Sequence, residues 1–422
     1  MSAAQSSHFV DRSLPNGLRV VMEVMPHVQS AAAGFLVRTG ARDEEPHLAG
    51  VSHFLEHMCF KGTAKRDWRQ ITIDFDNMGS TYNAYTSKER TVYFGWVRVE
   101  DLERQIELLA DMMQSAIPPD EFETEKKVIL EEIAMSADQI DRCVYDLIHS
   151  RTYEGHALAW PVLGTTESIS RLSRDELHGY FVERYNPANI TLLIAGNINP
   201  DDAMAMAARH CGDWPAGSPR PERKAPPPLK TGACCKVVDR FKQQAIALAV
   251  PAPSATHVDR ENADVLASII GGHNSRFFWN VIQEGIAPYV SAGRLDYCDA
   301  AMMIAFGFCE TQRVDELLAA MRSELKKVAA DGVTAEEVQR VKNRTRTGLT
   351  TEAEAPYYRL MQLIQDMDTV GKPRDVTERL SAIEAVTRDT IQDYMRKWPI
   401  DTEGWLTSLG PRHWPDNAAL VS

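Results

Sequence analysis

Residues 51–63 read VSHFLEHMCFKGT and place two histidines and a glutamate within five positions. Apolar residues recur in and around this stretch at helical spacing, which predicts a helix over residues 47–60. On that helix His53 and His57 are four residues apart and share one face, the arrangement that two imidazole ligands of one tetrahedral metal ion require. Glu56 lies beside them. A solvated polar stripe would explain the same residues equally well, so the metal interpretation depends on a third ligand.

A second helical stretch bears on that question: DEFETEKKVILEEIAMSADQ, residues 120–139. Catalytic zinc sites generally take three protein ligands and keep one position open. With Ile129 on the buried stripe, Glu132 lies about 60° away around the helix, whereas Glu131 lies about 200° away and faces water. Glu125 is two turns before Glu132 on the same edge. We therefore expect Glu132 to aim its carboxylate inward; an acidic surface helix without ligands is the alternative.

Composition limits the classes of protein to be considered. The chain has 422 residues, 44% of them hydrophobic and 25% charged, which is typical of a folded soluble protein with more than one domain. The net charge of −13 argues against nucleic acid as a partner. We find no secretory signal pattern and no apolar run long enough for a membrane span. Seven cysteines without C-x-x-C spacing indicate reduced thiols and a cytoplasmic location.

The chain is expected to contain two homologous domains. Residues 216–230 are rich in proline and charge and predict a linker between domains at 1–215 and 231–422. Residues 168–181 align with residues 382–395 at a constant offset, which indicates a duplicated domain.

Each half mixes strands and helices. GLRVVMEV (17–24) and NITLLIAG (189–196) have strand patterns, and VDELLAAMRSELKKVAADG (314–332) has helical spacing and ends in glycine. Strands and helices do not alternate strictly, so we predict an α+β fold in which each domain is a largely antiparallel sheet with helices packed on one face.

Three motifs together resemble a known family. HFLEHMCFKGT (53–63), NMGSTYNAYTSKERTVYF (77–94) and EKKVILEEI (125–133) are similar to the M16 inverted-zincin metallopeptidases, the group of pitrilysin, insulin-degrading enzyme and mitochondrial processing peptidase. The resemblance extends over nearly the whole chain, whose length matches the short two-domain members that work as dimers. It implies the fold shared by LuxS and mitochondrial processing peptidase.

The resemblance implies a role for each residue of the site. His53, His57 and Glu132 would bind one Zn²⁺ per chain, with Glu56 as the general base and Glu125 as the supporting acid behind the third ligand. Zinc lowers the pKa of water toward neutrality, and a neighbouring carboxylate can then take its proton.

The middle motif implies a substrate-binding strand. Asn83, Ala84 and Tyr85 match the family's exposed sheet edge, where a substrate peptide joins as an extra strand through main-chain hydrogen bonds. An interior strand with Asn83 in a turn is the alternative.

The second half differs from a metal-binding domain. Residues 231–422 contain no H-x-x-E-H, and Gly348 stands where the repeat would put the third acid, so this half is expected to be the non-metal-binding wall of a chamber. Tyr289 matches the family's tyrosine from this half, but Ile282 stands where the family has an arginine. We therefore expect a metal-bearing subunit that a homologous partner completes with an Arg–Tyr pair; a homodimer that relies on Tyr289 is the alternative.

Together these patterns predict a zinc metalloendopeptidase acting on peptides or unfolded segments, with no nucleic-acid or membrane partner. A dedicated maturation protease for one ribosomally made precursor is an alternative of the same class. A non-catalytic scaffold subunit is the alternative of another class.

Overall fold

The computed structural model of the chain describes residues 7–413, which form eleven strands and fourteen α-helices. The strands are β1 His8–Ser13, β2 Arg19–Val24, β3 Ser30–Val37, β4 Thr81–Thr86, β5 Thr91–Arg98, β6 Ile190–Gly196, β7 Gly232–Val237, β8 Gln243–Pro251, β9 Tyr289–Asp296, β10 Ala301–Glu310 and β11 Trp405–Gly410. The helices are α1 Val51–Cys59, α2 Trp68–Met78, α3 Leu102–Met112, α4 Pro119–Ala137, α5 Ile140–Thr152, α6 Thr166–Arg171, α7 Arg174–Arg184, α8 Pro200–Cys211, α9 Arg260–Gly271, α10 Val314–Asp331, α11 Ala335–Glu352, α12 Pro356–Thr369, α13 Val376–Glu384 and α14 Arg388–Lys397.

The described residues divide into two compact units, each made of three segments. The first unit contains residues 7–133, 160–223 and 350–375, and the second contains residues 134–159, 224–349 and 376–413. Each unit therefore includes a segment from the opposite side of the predicted linker at 216–230. In this respect the two units differ from the two contiguous domains that we predicted. Arg223, inside the predicted linker, forms a salt bridge of 2.7 Å with Asp43 of the first unit.

The first unit is built on a six-stranded sheet in the order β1-β2-β6-β3-β5-β4. Among the described strands of this sheet, the β2–β6 pair is parallel and the other four pairs are antiparallel. Strand β3 is buried on both faces: Ala33 and Phe35 pack toward one core, and Leu36 packs toward another. The predicted α+β class with largely antiparallel sheets is confirmed.

Helix α12 covers the second face of this sheet. Its residues Leu360 and Ile364 pack against Leu36, and Arg359 forms a buried salt bridge of 2.9 Å with Glu23 on β2. We predicted helices on one face only, and the prediction was wrong in this respect because the alternate residues of β3 are apolar on both sides and both sides need cover. The helix that supplies this cover comes from residues far along the chain.

The second unit repeats the same topology. Its sheet has the order β7-β11-β8-β10-β9, with β7–β11 parallel, so it matches the first sheet once β1 is removed. Helix α5 packs on one face of this sheet, with Val144 and Ile148 in the same core as Leu409. The N-cap residues Ser173 of α7 and Thr387 of α14 correspond at the offset of the sequence repeat, and both accept a backbone hydrogen bond.

Helix α1 begins later than predicted. We expected a helix over residues 47–60, whereas α1 spans Val51–Cys59. Gly50 precedes it with a φ of 92°, and a Cβ atom there would lie 2.7 Å from the carbonyl oxygen of Leu163. Only glycine fits this left-handed position at close backbone approach, so the chain turns sharply into the helix. Among the described residues, none of the helices is both long and apolar enough to cross a membrane.

Candidate metal centre

Packing of α1 against α4 brings the two predicted motifs together. Phe54 of α1 is fully buried and stacks on Phe122 of α4, with ring centroids 4.9 Å apart. Leu55 and Met58 also lie in the core of the first unit. Because these apolar residues fix how the two helices face each other, the polar residues beside them are held in a defined register.

Three potential ligand atoms converge between the helices. The Nε2 atoms of His53 and His57 each lie 3.7 Å from Oε2 of Glu132, and one ligand atom from each of the three residues lies within 4.8 Å of the others. Tetrahedral coordination at zinc bond lengths separates neighbouring ligand atoms by about 3.4 Å. Two imidazoles and a carboxylate with this spacing fit a zinc ion.

Glu131 and Glu132 point in different directions, as helical geometry predicts. The side chain of Glu132 is 36% exposed and faces the two histidines, whereas Glu131 is exposed to solvent. A surface helix without ligands would direct its acidic side chains to solvent. Glu131 is directed in this way, but Glu132 is not.

Glu125 contacts the opposite nitrogen of His57. Its Oε1 atom lies 2.7 Å from Nδ1 of His57, and its Oε2 atom forms a salt bridge of 2.6 Å with Nζ of Lys61. When His57 is neutral and donates from Nδ1, its Nε2 carries the lone pair that faces Glu132. Burial raises the pKa of Glu125, but the hydrogen bonds from His57 and Lys61 outweigh it, so the net pKa lies below the ordinary value.

Glu56 is positioned by the outermost strand of the first sheet. Its Oε2 atom accepts a hydrogen bond of 2.5 Å from the hydroxyl of Thr86, the last residue of β4. Burial raises the pKa of Glu56. The hydrogen bond from Thr86 and the nearby His57 lower the pKa by less, so the net pKa lies above the ordinary value. A carboxylate with a raised pKa is a better proton acceptor.

Glu44 supports the beginning of α1. Its carboxylate accepts hydrogen bonds from the backbone N–H groups of Gly50 at 2.7 Å and Ser52 at 2.8 Å, which α1 itself leaves without helical partners. Burial raises the pKa of Glu44 to about 7, although these hydrogen bonds act in the opposite direction.

Three residues that support the site were not predicted from the sequence: Glu44, Lys61 and Thr86. Glu44 precedes α1 by seven residues, too far for a known capping pattern. Thr86 lies on β4 and contacts Glu56 on α1, and a pattern within one element does not reveal such a contact. Lys61 could have been found from the sequence, since it follows His57 by four residues, about one helical turn, and lies just past the end of α1.

The predicted substrate-binding residues lie on an edge strand. Asn83, Ala84 and Tyr85 belong to β4, which pairs with β5 on one side and is the terminal strand of its sheet. Asn83 pairs with Phe94 inside the strand and is exposed. The alternative, an interior strand with Asn83 in a turn, is therefore excluded, while the binding role of these residues stays a prediction.

Tyr289, Ile282 and Arg276, the arginine six residues before Ile282, all belong to the second unit. Tyr289 is exposed at the start of β9 and stacks on Phe308, with centroids 5.4 Å apart. Ile282 ends a π-helical turn and packs against the core of this unit. The guanidinium of Arg276 is bound to Glu337 at 2.7 Å and to the carbonyl oxygen of Gly332. The catalytic role of Tyr289 stays a prediction.

Comparison with known proteins decides the family. The family model described as Insulinase (Peptidase family M16) matches residues 19–166, and the one described as Peptidase M16 inactive domain matches residues 171–345. An uncharacterised zinc protease of Mycobacterium leprae is 32% identical over 395 residues, which cover 92% of this chain and 89% of that protein. The chain belongs to peptidase family M16.

One further relative and two solved structures are also similar to the chain. The uncharacterised zinc protease YmxG of Bacillus subtilis is 30% identical over 400 residues, covering 93% of this chain and 96% of that protein. A crystal structure of a protease from Helicobacter pylori matches 96% of this chain and all of that chain with a TM-score of 0.90 at 20% identity. A structure from Pseudomonas fluorescens described as a peptidase M16 inactive domain has a TM-score of 0.88 at 17% identity, covering 97% and 100% of the two chains. These two structures share the fold.

Proposed function

We propose that this M16 chain is a zinc-dependent metalloendopeptidase that hydrolyses peptides or unfolded segments. The observation that carries the proposal is the convergence of His53, His57 and Glu132 on one point between α1 and α4, with ligand atoms within 4.8 Å of one another. The names of the relatives, zinc proteases, agree with this donor set. The first unit would be the catalytic domain and the second a domain without metal.

In this proposal His53, His57 and Glu132 would hold one zinc ion per chain. A zinc ion supplies Lewis-acid chemistry, which polarises a peptide carbonyl and makes water a stronger nucleophile. Glu125 keeps the ring of His57 oriented with Nε2 toward the site, through its 2.7 Å contact with Nδ1.

Glu56 carries the proton in the reaction. As the water oxygen bonds to the scissile carbonyl carbon, Glu56 takes the proton that the water releases. It then gives this proton to the amide nitrogen as the C–N bond breaks, so that a carboxylic acid and an amine leave. The hydrogen bond from Thr86 fixes one oxygen of Glu56 and aims the carboxylate for both transfers.

The edge strand β4 supplies the substrate site. A peptide in extended conformation can pair with the outer side of β4 through main-chain hydrogen bonds, which bind without requiring a particular sequence. Asn83, Ala84 and Tyr85 would line that pairing. Unfolded segments meet this requirement, because folded proteins rarely present an unpaired strand.

Ile282 and Arg276 bear on whether the chain needs a partner subunit. Ile282 cannot donate a hydrogen bond, and Arg276 is already bound to Glu337 and so is unavailable as a substitute. We infer that the chain is the metal-bearing subunit of a dimer, completed by a homologous subunit that brings an arginine and a tyrosine. A homodimer using Tyr289 alone is the alternative. A cytoplasmic location belongs to the same proposal.

The test uses the protein purified from its native host with any bound subunit. It is incubated with a mixed peptide library, with and without a chelator, and the products are identified by mass spectrometry. We expect chelator-sensitive cleavage inside peptides, and Glu56→Gln should retain zinc and peptide binding while turnover falls by a factor of about 10² to 10⁴. Cleavage by the Glu56→Gln protein at nearly the parental rate would contradict the role of Glu56.

A further inference from the structure

We propose that Lys61 is a positioning residue of the metal centre: it fixes the carboxylate of Glu125, and through it the ring of His57, so that zinc binds more tightly. This inference rests on the proposed zinc site and assigns a function to a residue outside the ligand set.

The geometry places Glu125 between two partners that come from the same end of one helix. Its Oε1 atom lies 2.7 Å from Nδ1 of His57, and its Oε2 atom lies 2.6 Å from Nζ of Lys61. Lys61 follows His57 by four residues, just past the end of α1. Each oxygen of the carboxylate therefore has its own partner, and the plane of the group is defined by both.

Burial makes the second partner necessary. The side chain of Glu125 is 4% exposed, so Oε2 has little access to bulk water and relies on Lys61 for a charged partner. A buried carboxylate with one oxygen unsatisfied pays a desolvation cost, and it can relieve this cost by rotating away from His57. The imidazole would then lose the acceptor that selects its Nδ1–H form and directs its Nε2 lone pair toward Glu132.

The charges of the group are consistent with this role. Glu56, Glu125 and Glu132 carry three formal negative charges, and Lys61 supplies one positive charge, which leaves two negative charges for a divalent ion to neutralise. Lys61 also repels a bound cation, which opposes the positioning effect. Its side chain is 29% exposed, so solvent screens part of that repulsion, and we expect the positioning effect to dominate.

The main experiment compares zinc dissociation constants of the full chain, measured by competition with a chromogenic chelator. Lys61→Met keeps the apolar stem and removes the ammonium, and zinc binding should weaken about 10- to 100-fold, the range for partners that orient a metal ligand. Lys65→Met is the matched control, because Lys65 is 69% exposed and its nearest acid, Asp111, lies 3.9 Å away. Its zinc affinity should not change.

Two further measurements separate positioning from a general effect on stability. In a Glu125→Gln background, Lys61→Met should cause little additional loss of zinc affinity, because the side chain through which Lys61 acts has already been altered. In the zinc-free protein, ¹⁵N NMR of the imidazole should show the Nδ1–H form of His57 in the parent and a smaller fraction of it in Lys61→Met.

The outcomes distinguish this inference from the proposed function. If the parent chain binds no zinc, both are overturned. If the parent binds zinc but Lys61→Met binds it equally or more tightly, only the role of Lys61 is overturned. An equal loss of affinity in the parental and Glu125→Gln backgrounds would also overturn it, since Lys61 would then act by another route.

Discussion

Thr86, at the end of the outermost strand of the first sheet, donates a hydrogen bond of 2.5 Å to Oε2 of Glu56 on α1. The strand proposed to bind substrate and the proposed general base are thus in direct contact. A peptide paired with β4 would therefore lie at a fixed distance from the carboxylate that handles its proton.

Replacing Thr86 by valine should lower the turnover number while zinc content stays at the parental level. The substitution keeps the side-chain shape and removes a hydrogen bond to a charged acceptor, worth about 1.5–3 kcal/mol, which corresponds to roughly a 10- to 100-fold lower rate. Steady-state kinetics and metal analysis check this. Thr86→Ser should recover most of the activity, and Thr81→Val, at the exposed other end of β4, should have no effect. Loss of zinc from Thr86→Val would contradict the assigned role.

Glu44 should make the stability of the first unit depend on pH. Its folded-state pKa of about 7 lies above the ordinary value of 4.5, so its protonated form is favoured by folding. The stability that this provides is fully present below about pH 4.5 and is lost as pH rises through 7, a change of up to about 3 kcal/mol. Thermal or denaturant unfolding of the zinc-free chain should therefore show the parent losing stability relative to Glu44→Gln between pH 5 and 8. If the stability of the parent and of Glu44→Gln changed in parallel between pH 5 and 8, the assigned titration of Glu44 would be contradicted.

The isolated recombinant chain should have low peptidase activity even when loaded with zinc. Ile282 offers no hydrogen-bond donor where the family has an arginine, and loss of one donor to the developing oxyanion costs about 3–4 kcal/mol. The measurement is the chelator-sensitive rate of the chain alone against the rate of the protein purified with its native subunit. Full activity from the isolated homodimer would refute the need for a partner and favour the alternative that relies on Tyr289.

Local patterns in the sequence predicted much of the fold and the ligand geometry, since both depend on the period of a helix or strand. Glu132 and Glu131 are adjacent, yet the helical angle from Ile129 assigned the first inward and the second to solvent, as the structure places them. Strands β2 and β6 and helix α10 were likewise predicted from alternation, helical spacing and a terminal glycine.

The features that were missed depend on contacts between distant residues. The start of α1 is set by the close approach of Gly50 to Leu163, which no helical pattern encodes. The attachment of α12 to the first sheet involves residues more than 300 positions apart, such as the buried pair of Arg359 and Glu23. Periodicity within one segment carries no information about such partners.

The most direct test of the central claim is the zinc content of three purified proteins: the parent, Glu132→Gln and Glu131→Gln. Both substitutions remove one negative charge from the same turn of α4, but only Glu132 faces His53 and His57. We predict one zinc ion per chain in the parent and in Glu131→Gln, and a sharply reduced content in Glu132→Gln. Equal zinc content in the two variants would contradict the assignment of the metal centre.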